Sequence, residues 1–366
     1  MTQTNSGNAA EIGVETGPTT LHLTHQELRK RVSDSNKPLI AQLSKPKALR
    51  SIGLYAVVYL AIAGLIGAGI YIDTWWFTAL VVVLIAGRQH SLYIINHDAS
   101  HYALFEDKSL NQSVATVLSN LVMFHHPEAW SFVQWRRVHM LHHKYLFTEL
   151  DPNYVGRKNK GDTLASPSLA KLAYKVVSGG LLNIRDLIVG RQDHVSDKGG
   201  EISSGKYTHL LGLFKPYQDD AEMEIERRLK LGFFAVALLL ITALGVWSEF
   251  LVYWILPMYT IYPMILRFHD LTEHRWEKPT EALQINTRTR HDGWLFKLFF
   301  SALPRGYHSE HHIYPRVGVV DLALVNQLLV KDHLLSPPAG GVSVLFGELA
   351  GKIVTPDHNA NPAAEL

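Results

Sequence analysis

The chain has 366 residues, a formal net charge of +2 and no cysteine. Near-balanced charge gives no basic field for nucleic acid, so no nucleic-acid partner is expected. Without thiols there are no disulfides, thiolate zinc sites, iron–sulfur clusters or cysteine nucleophile, and any metal must be held by His, Asp or Glu.

Residues 1–50 read as a cytosolic N-terminal segment. Its start, Met1 to Thr20, is rich in Thr, Asn, Gly and Ala; it is expected to be disordered and lacks a signal-peptide pattern. Ile52 to Ile72 then carries no charge, and at about 1.5 Å per residue it is long enough to cross a hydrocarbon core of about 30 Å. After Asp73, Thr74 to Asn96 returns with Arg88 as its only charge, and can continue beyond the bilayer as a helix bearing His97 and His101. Residues 231–248 and 250–266 repeat the arrangement around Glu249. The expected fold is an all-α integral membrane protein. Four transmembrane helices (about 52–72, 74–96, 231–248 and 250–266) form two hairpins within a domain at 51–335, followed by a tail at 336–366. Residues 169–191 mix apolar side chains with Lys171, Lys175, Arg185 and Arg191 around Gly179 and Gly180, and read as interfacial helical pieces or as a soluble helix pair.

Arg29, Lys30, Arg31, Lys37, Lys45, Lys47 and Arg50 precede the first span, whereas the hairpin turns carry only Asp73 and Glu249. The basic side is cytoplasmic. An even number of spans returns the middle segment and everything after Arg267 to that side, where a cytosolic helical cap would gather the histidines.

Eight of the twenty histidines fall into three tight groups: His97 and His101; His139, His142 and His143; His308, His311 and His312. Spacings of three and four residues place imidazoles on one helix face, so each group offers several neutral nitrogens. Eight ligands exceed what one ion takes, which implies two ions, and nitrogen-rich ligation suits iron, zinc or copper. Isolated histidines such as His209, and the pair His125 and His126 before Pro127, read as ordinary loop or core residues, and His90 as a polar core contact. Asp98, inside the first group, and Asp151, after the second, read as carboxylates that fix imidazole tautomers.

The segments from His97 to His101 (HDASH), His139 to His143 (HMLHH) and Tyr307 to Pro315 (YHSEHHIYP) resemble, in order and spacing, the three histidine boxes of membrane fatty acid desaturases and their relatives the β-carotene ketolases and hydroxylases. The resemblance covers about Ile52 to Leu329; Thr148 to Tyr154 and Asn286 to Thr289 also resemble stretches near boxes two and three of bacterial members. It implies a membrane-bound oxidoreductase holding two iron ions that uses dioxygen and external electrons to desaturate a fatty acyl chain of a lipid or acyl carrier. Hydroxylation or ketolation of a lipid or carotenoid is the alternative, because the boxes set the metal and not the outcome. A metal-binding membrane protein without turnover is a third reading. No haem-binding module is evident, so the expected electron donor is a separate ferredoxin or a b-type cytochrome with its reductase. In this superfamily a further histidine after the last span completes the metal shell; here His274 matches it, with His269 as rival. Asp270 stands where the family places a polar ligand acting through water, one helical turn from His274.

Overall fold

The computed structural model describes residues 23–123, 131–159, 161–163, 168–178, 191–196, 202–207, 220–276, 280 and 282–338. Most of both tails, His125, His126, His209 and the Gly179–Gly180 break lie outside them.

Helix α1 (His25–Arg31) starts at a reciprocal cap, in which Thr24 Oγ1 accepts from the Glu27 amide and Glu27 Oε2 accepts from the Thr24 amide at 2.8 Å. After α2 (Lys37–Leu43), α3 (Ala48–Ile72) and α4 (Trp75–Ser100) form the first hairpin. Asp73 closes it in the left-handed region, with φ 44°. Tyr55, Val58 and Ile62 bury one stripe of α3, while Val57 and Leu60 stay exposed, as expected of a span with one face on protein and one on lipid. Helix α4 is the hub, buried without interruption from Ile85 to Ser100.

Helices α5 (Lys108–Met123), α6 (Phe132–Tyr145), α7 (Pro152–Asn159) and α8 (residues 169–178) follow, then an antiparallel hairpin of β1 (Arg191–Ser196) and β2 (Ile202–Tyr207). That two-stranded hairpin is a small addition to an otherwise helical architecture among the described residues. Helix α9 (Ala221–Leu244) ends at Gly245, whose φ of 68° makes a left-handed cap, so the second hairpin turns there and not at Glu249. Helix α10 (Trp247–Glu273) returns through a π-helical stretch, Leu251–Ile255, and a break at Thr260. Pro257 removes one amide from the ladder, and Gln89 Nε2 donates to the Trp254 carbonyl at 3.0 Å.

Among the described residues, three helices, Ala48–Ile72, Trp75–Ser100 and Trp247–Glu273, are long and apolar enough to cross a membrane. Helix α9 is not among them. Arg227, Arg228 and Lys230 occupy its first half and leave an apolar run, Leu231 to Leu244, of roughly 21 Å. Its charged half has a structural role: buried Glu226 accepts from Ser131 Oγ at 2.8 Å and from the amides of Phe132 and Val133 at 2.5 and 3.0 Å, and pairs with Lys230. A carboxylate thus caps the positive end of α6, the helix that carries the second histidine group.

The remaining elements are short: α11 (Leu283–Asn286), α12 (Trp294–Phe299), α13 (His308–Ile313) and α14 (Leu322–Lys331).

Candidate metal centre

Four elements converge on the cluster: the C-terminal end of α4, helices α6 and α13, and His274 just beyond α10. Nitrogens of His97, His101, His139, His143 and His311 lie within 4.8 Å of one another; those of His142, His274, His308 and His312 do the same, and all nine rings are buried. The three- and four-residue spacings therefore divide single helices between two groups. On α6, His139 and His143 share one face and His142 the other; α13 sends His311 to the first group and His308 and His312 to the second. The groups adjoin, with the His143 and His312 rings stacked 4.3 Å apart.

Within the first group, Nε2 atoms approach at 3.0 Å (His139 and His101), 3.1 Å (His143 and His139) and 3.0 Å (His311 and His143). In the second the spacings are 3.1 Å (His142 and His274), 2.8 Å (His308 and His274) and 3.1 Å (His312 and His308). Nitrogens about 2.1 Å from a shared cation and at right angles stand about 3.0 Å apart, so both sets fit a metal ion.

The surroundings set the tautomers. Both oxygens of Asp151 lie 3.0 Å from Nδ1 of His142, and Oε1 of Glu273 lies 3.0 Å from Nδ1 of His308. A carboxylate only accepts, so these Nδ1 atoms carry the proton and Nε2 presents its lone pair to the group. His97 differs: Arg305 donates to its Nδ1 at 2.9 Å, which leaves the proton of a neutral ring on Nε2, and ligation requires that arginine to let go. Trp135 stacks on His139 with centroids 5.3 Å apart, fixing that ring by packing. The third box is pinned by Ser309 Oγ, 2.7 Å from Thr287 Oγ1, and by Glu310, which accepts from Asn326 Nδ2 at 2.7 Å.

A family model described as fatty acid desaturase matches residues 73–334. The chain belongs to the fatty acid desaturase family. Among curated proteins it is 25% identical over 288 residues to dihydrorhizobitoxine desaturase of Bradyrhizobium elkanii, covering 75% of this chain and 73% of that protein. It is 27% identical over 123 residues to the sn-1 acyl-lipid omega-3 desaturase (ferredoxin) of Synechocystis sp. (strain ATCC 27184 / PCC 6803 / Kazusa), covering 34% of this chain and 31% of that one. The protein is thus a desaturase-type oxidoreductase, and its three apolar helices fit a membrane enzyme.

Two sequence expectations about this desaturase need correction. Asp270 and His274 do not share a helical face, because α10 ends at Glu273 and His274 is extended (φ −114°, ψ 152°). The Asp270 carboxylate turns to Arg157 instead of the histidines. Asp98 accepts from the Val319 amide at 2.8 Å and meets no imidazole, so it ties the first box to the turn before α14. His269 also stands apart from both groups, with Nε2 3.1 Å from Glu273. His90 makes the expected polar core contact, Nδ1 lying 3.0 Å from the Phe300 carbonyl.

Sequence reasoning missed the linkage made by Glu273 and Arg305. Arg305 Nε donates to Glu273 at 2.7 Å while its other end reaches His97, so one ion pair touches a histidine of each group. No spacing announces a pair thirty-two residues apart.

Burial holds these imidazoles below their ordinary value: His101 at about 3, His308 at about 4, and His139, His143, His274, His311 and His312 well below it. They are neutral near pH 7, as nitrogen donors must be. In the metal-free protein, the unfolded chain binds protons on these rings from about pH 6.5 downward, whereas folded His308 does so only at about 4. Stability therefore falls as the pH drops through that window and goes on falling below it, because His101 and the other rings take up protons in the folded state only at still lower pH. Thermal unfolding of metal-stripped protein should show a lower midpoint at about pH 4.5 than at about pH 7; equal midpoints would mean that the rings are solvated.

Proposed function

We propose that the enzyme binds two iron ions and desaturates a fatty acyl chain of a lipid or acyl carrier, with dioxygen as co-substrate and electrons from an external donor. One ion is assigned to His97, His101, His139, His143 and His311, the other to His142, His274, His308 and His312. The observation that carries this reading is the convergence of nine buried imidazoles into two adjoining groups. Iron held by these residues would supply dioxygen activation: the substrate would give up two hydrogens from adjacent methylenes, the donor would give two electrons accompanied by two protons, and dioxygen would leave as two molecules of water.

The protein's own part is ligation and orientation. Asp151 and Glu273 hold His142 and His308 with their lone pairs inward, and burial keeps bulk water from the centre. A ferredoxin is the favoured donor, by analogy with the ferredoxin-dependent Synechocystis relative; a b-type cytochrome with its reductase is the other candidate. The membrane domain is assigned to residues 51–335 with four spans. Helix α9 supplies the short third one, and the metal centre faces the cytoplasm. In the cysteine-free chain, Asp73→Cys and Ser336→Cys should react with impermeant reagents from opposite faces.

His274→Ala should lower bound iron as loss of a box histidine does, whereas His269→Ala and Asp270→Asn should keep it; metal analysis of the three proteins decides, and the reverse pattern moves the ligand to His269. The function is tested by supplying iron-loaded enzyme with membrane lipid, reduced ferredoxin and dioxygen, then weighing the product. A product lighter by two hydrogens is expected; one heavier by an oxygen atom would make the enzyme an oxygenase.

A further inference from the structure

The sequence places everything after Arg267 in the cytosol, yet one later segment is fastened to the cytoplasmic third of a membrane span. Residues 297–302 are stitched to residues 87–91 of α4. Arg88 Nη2 donates to the carbonyls of Lys297 and Leu298 at 2.6 and 2.8 Å, and the Ala302 amide donates to Ser91 Oγ at 2.9 Å. A Cβ on Gly87 would stand 2.5 Å from the Phe299 carbonyl oxygen, so the backbones are in close contact.

Depth follows from counting. At 1.5 Å per residue from the turn at Asp73, Gly87 to Ser91 stand roughly 21 to 27 Å along a core of about 30 Å. The same count on α3 reaches Tyr55 to Tyr59, where Val57 is 63% exposed on the face left for lipid. Helix α12 is therefore held level with lipid-facing positions, inside the cytoplasmic third of the span.

Its own faces agree. Phe296 is buried and stacks on Phe300 at 4.8 Å, and Phe268 and Val176 of α8 pack into the same small cluster. The opposite side exposes Trp294 (73%), Leu295 (52%) and Leu298 (38%), and α8 exposes Tyr174 (71%). Trp294 opens this face and the exposed Lys297 lies between Leu295 and Leu298, a pairing of tryptophan and lysine found where a helix lies at the headgroup boundary.

We propose that α8 and α12 form a foot immersed in the cytoplasmic leaflet beside the spans, with membrane lipid as its partner. Lipid is the occupant favoured because the exposed face runs on at the level of the α3 lipid face. The arrangement also accounts for Arg88: the only charge in its span satisfies carbonyls at the end of a six-residue helix that would otherwise meet hydrocarbon unpaired. The proposal rests on the spanning reading of α3 and α4, but not on the reaction catalysed.

The test uses the full chain in phosphatidylcholine–phosphatidylglycerol vesicles with a nitroxide on single cysteines at Leu295, Leu298 or Tyr174. Val57→Cys serves as the lipid reference and Lys158→Cys as the aqueous one. Collision with dioxygen and with a water-soluble nickel chelate is measured by power saturation. At least two of the three positions should match Val57→Cys, with high oxygen and low nickel access. Nickel access like that of Lys158→Cys at Leu295 and Leu298 would overturn the proposal, and so would low access to both reagents, which would mean burial against a protein partner. If Val57→Cys itself meets nickel, the spanning reading falls and the foot with it.

Discussion

His143→Ala and His308→Ala, one substitution in each histidine group, are each expected to lower turnover by more than about 100-fold and to remove one of two bound iron ions per chain. The Nε2 of His143 stands 3.1 Å from that of His139 and 3.0 Å from that of His311, so its loss opens the first group. His308 stands 2.8 Å from His274 and 3.1 Å from His312, and its loss opens the second. Because the groups share helices but not nitrogens, each variant should keep the other ion. Metal analysis and lipid turnover on the same preparations are the measurements. Full turnover with unchanged iron in both variants would falsify the two-metal assignment.

Gly306→Ala should damage the centre without touching a ligand. A Cβ there would stand 2.0 Å from the Arg290 carbonyl oxygen, and the Arg290 amide already donates to the Gly306 carbonyl at 2.7 Å, so two backbone segments in direct contact would have to part. The shift would pass to Tyr307, which bridges Thr289, and then to His308. A cost of roughly 1–3 kcal/mol is expected from overpacking, with partial loss of iron. Gly293→Ala, where an added Cβ meets nothing within 4 Å, is the control and should leave the unfolding midpoint and metal content unchanged. Equal behaviour of the two variants would remove Gly306 from the argument.

The eight box histidines as candidate metal donors and the first hairpin were legible in the sequence, because helical periodicity and an uncharged run of spanning length are local properties. The ends of α3 and α4 moved by only a few residues. Less local features were not legible. The second hairpin turns at Gly245, which ends the third apolar run at Leu244 and not at Ser248, and Glu226, just before that run, caps α6 across a gap of more than ninety residues.

Site residues divide in the same way. His97 to His312 could be named from spacing, but their allocation between two groups depends on which faces of α6 and α13 meet which neighbours. Asp270 had the right spacing to His274 and lost its role because the helix stops between them and Arg157 takes its carboxylate. The pairing of Glu273 with Arg305 carried no signal at all. Periodicity reports the direction of a side chain from its own helix; only the packing of separate elements decides what it meets there, and that contact determines proton position and charge at the centre.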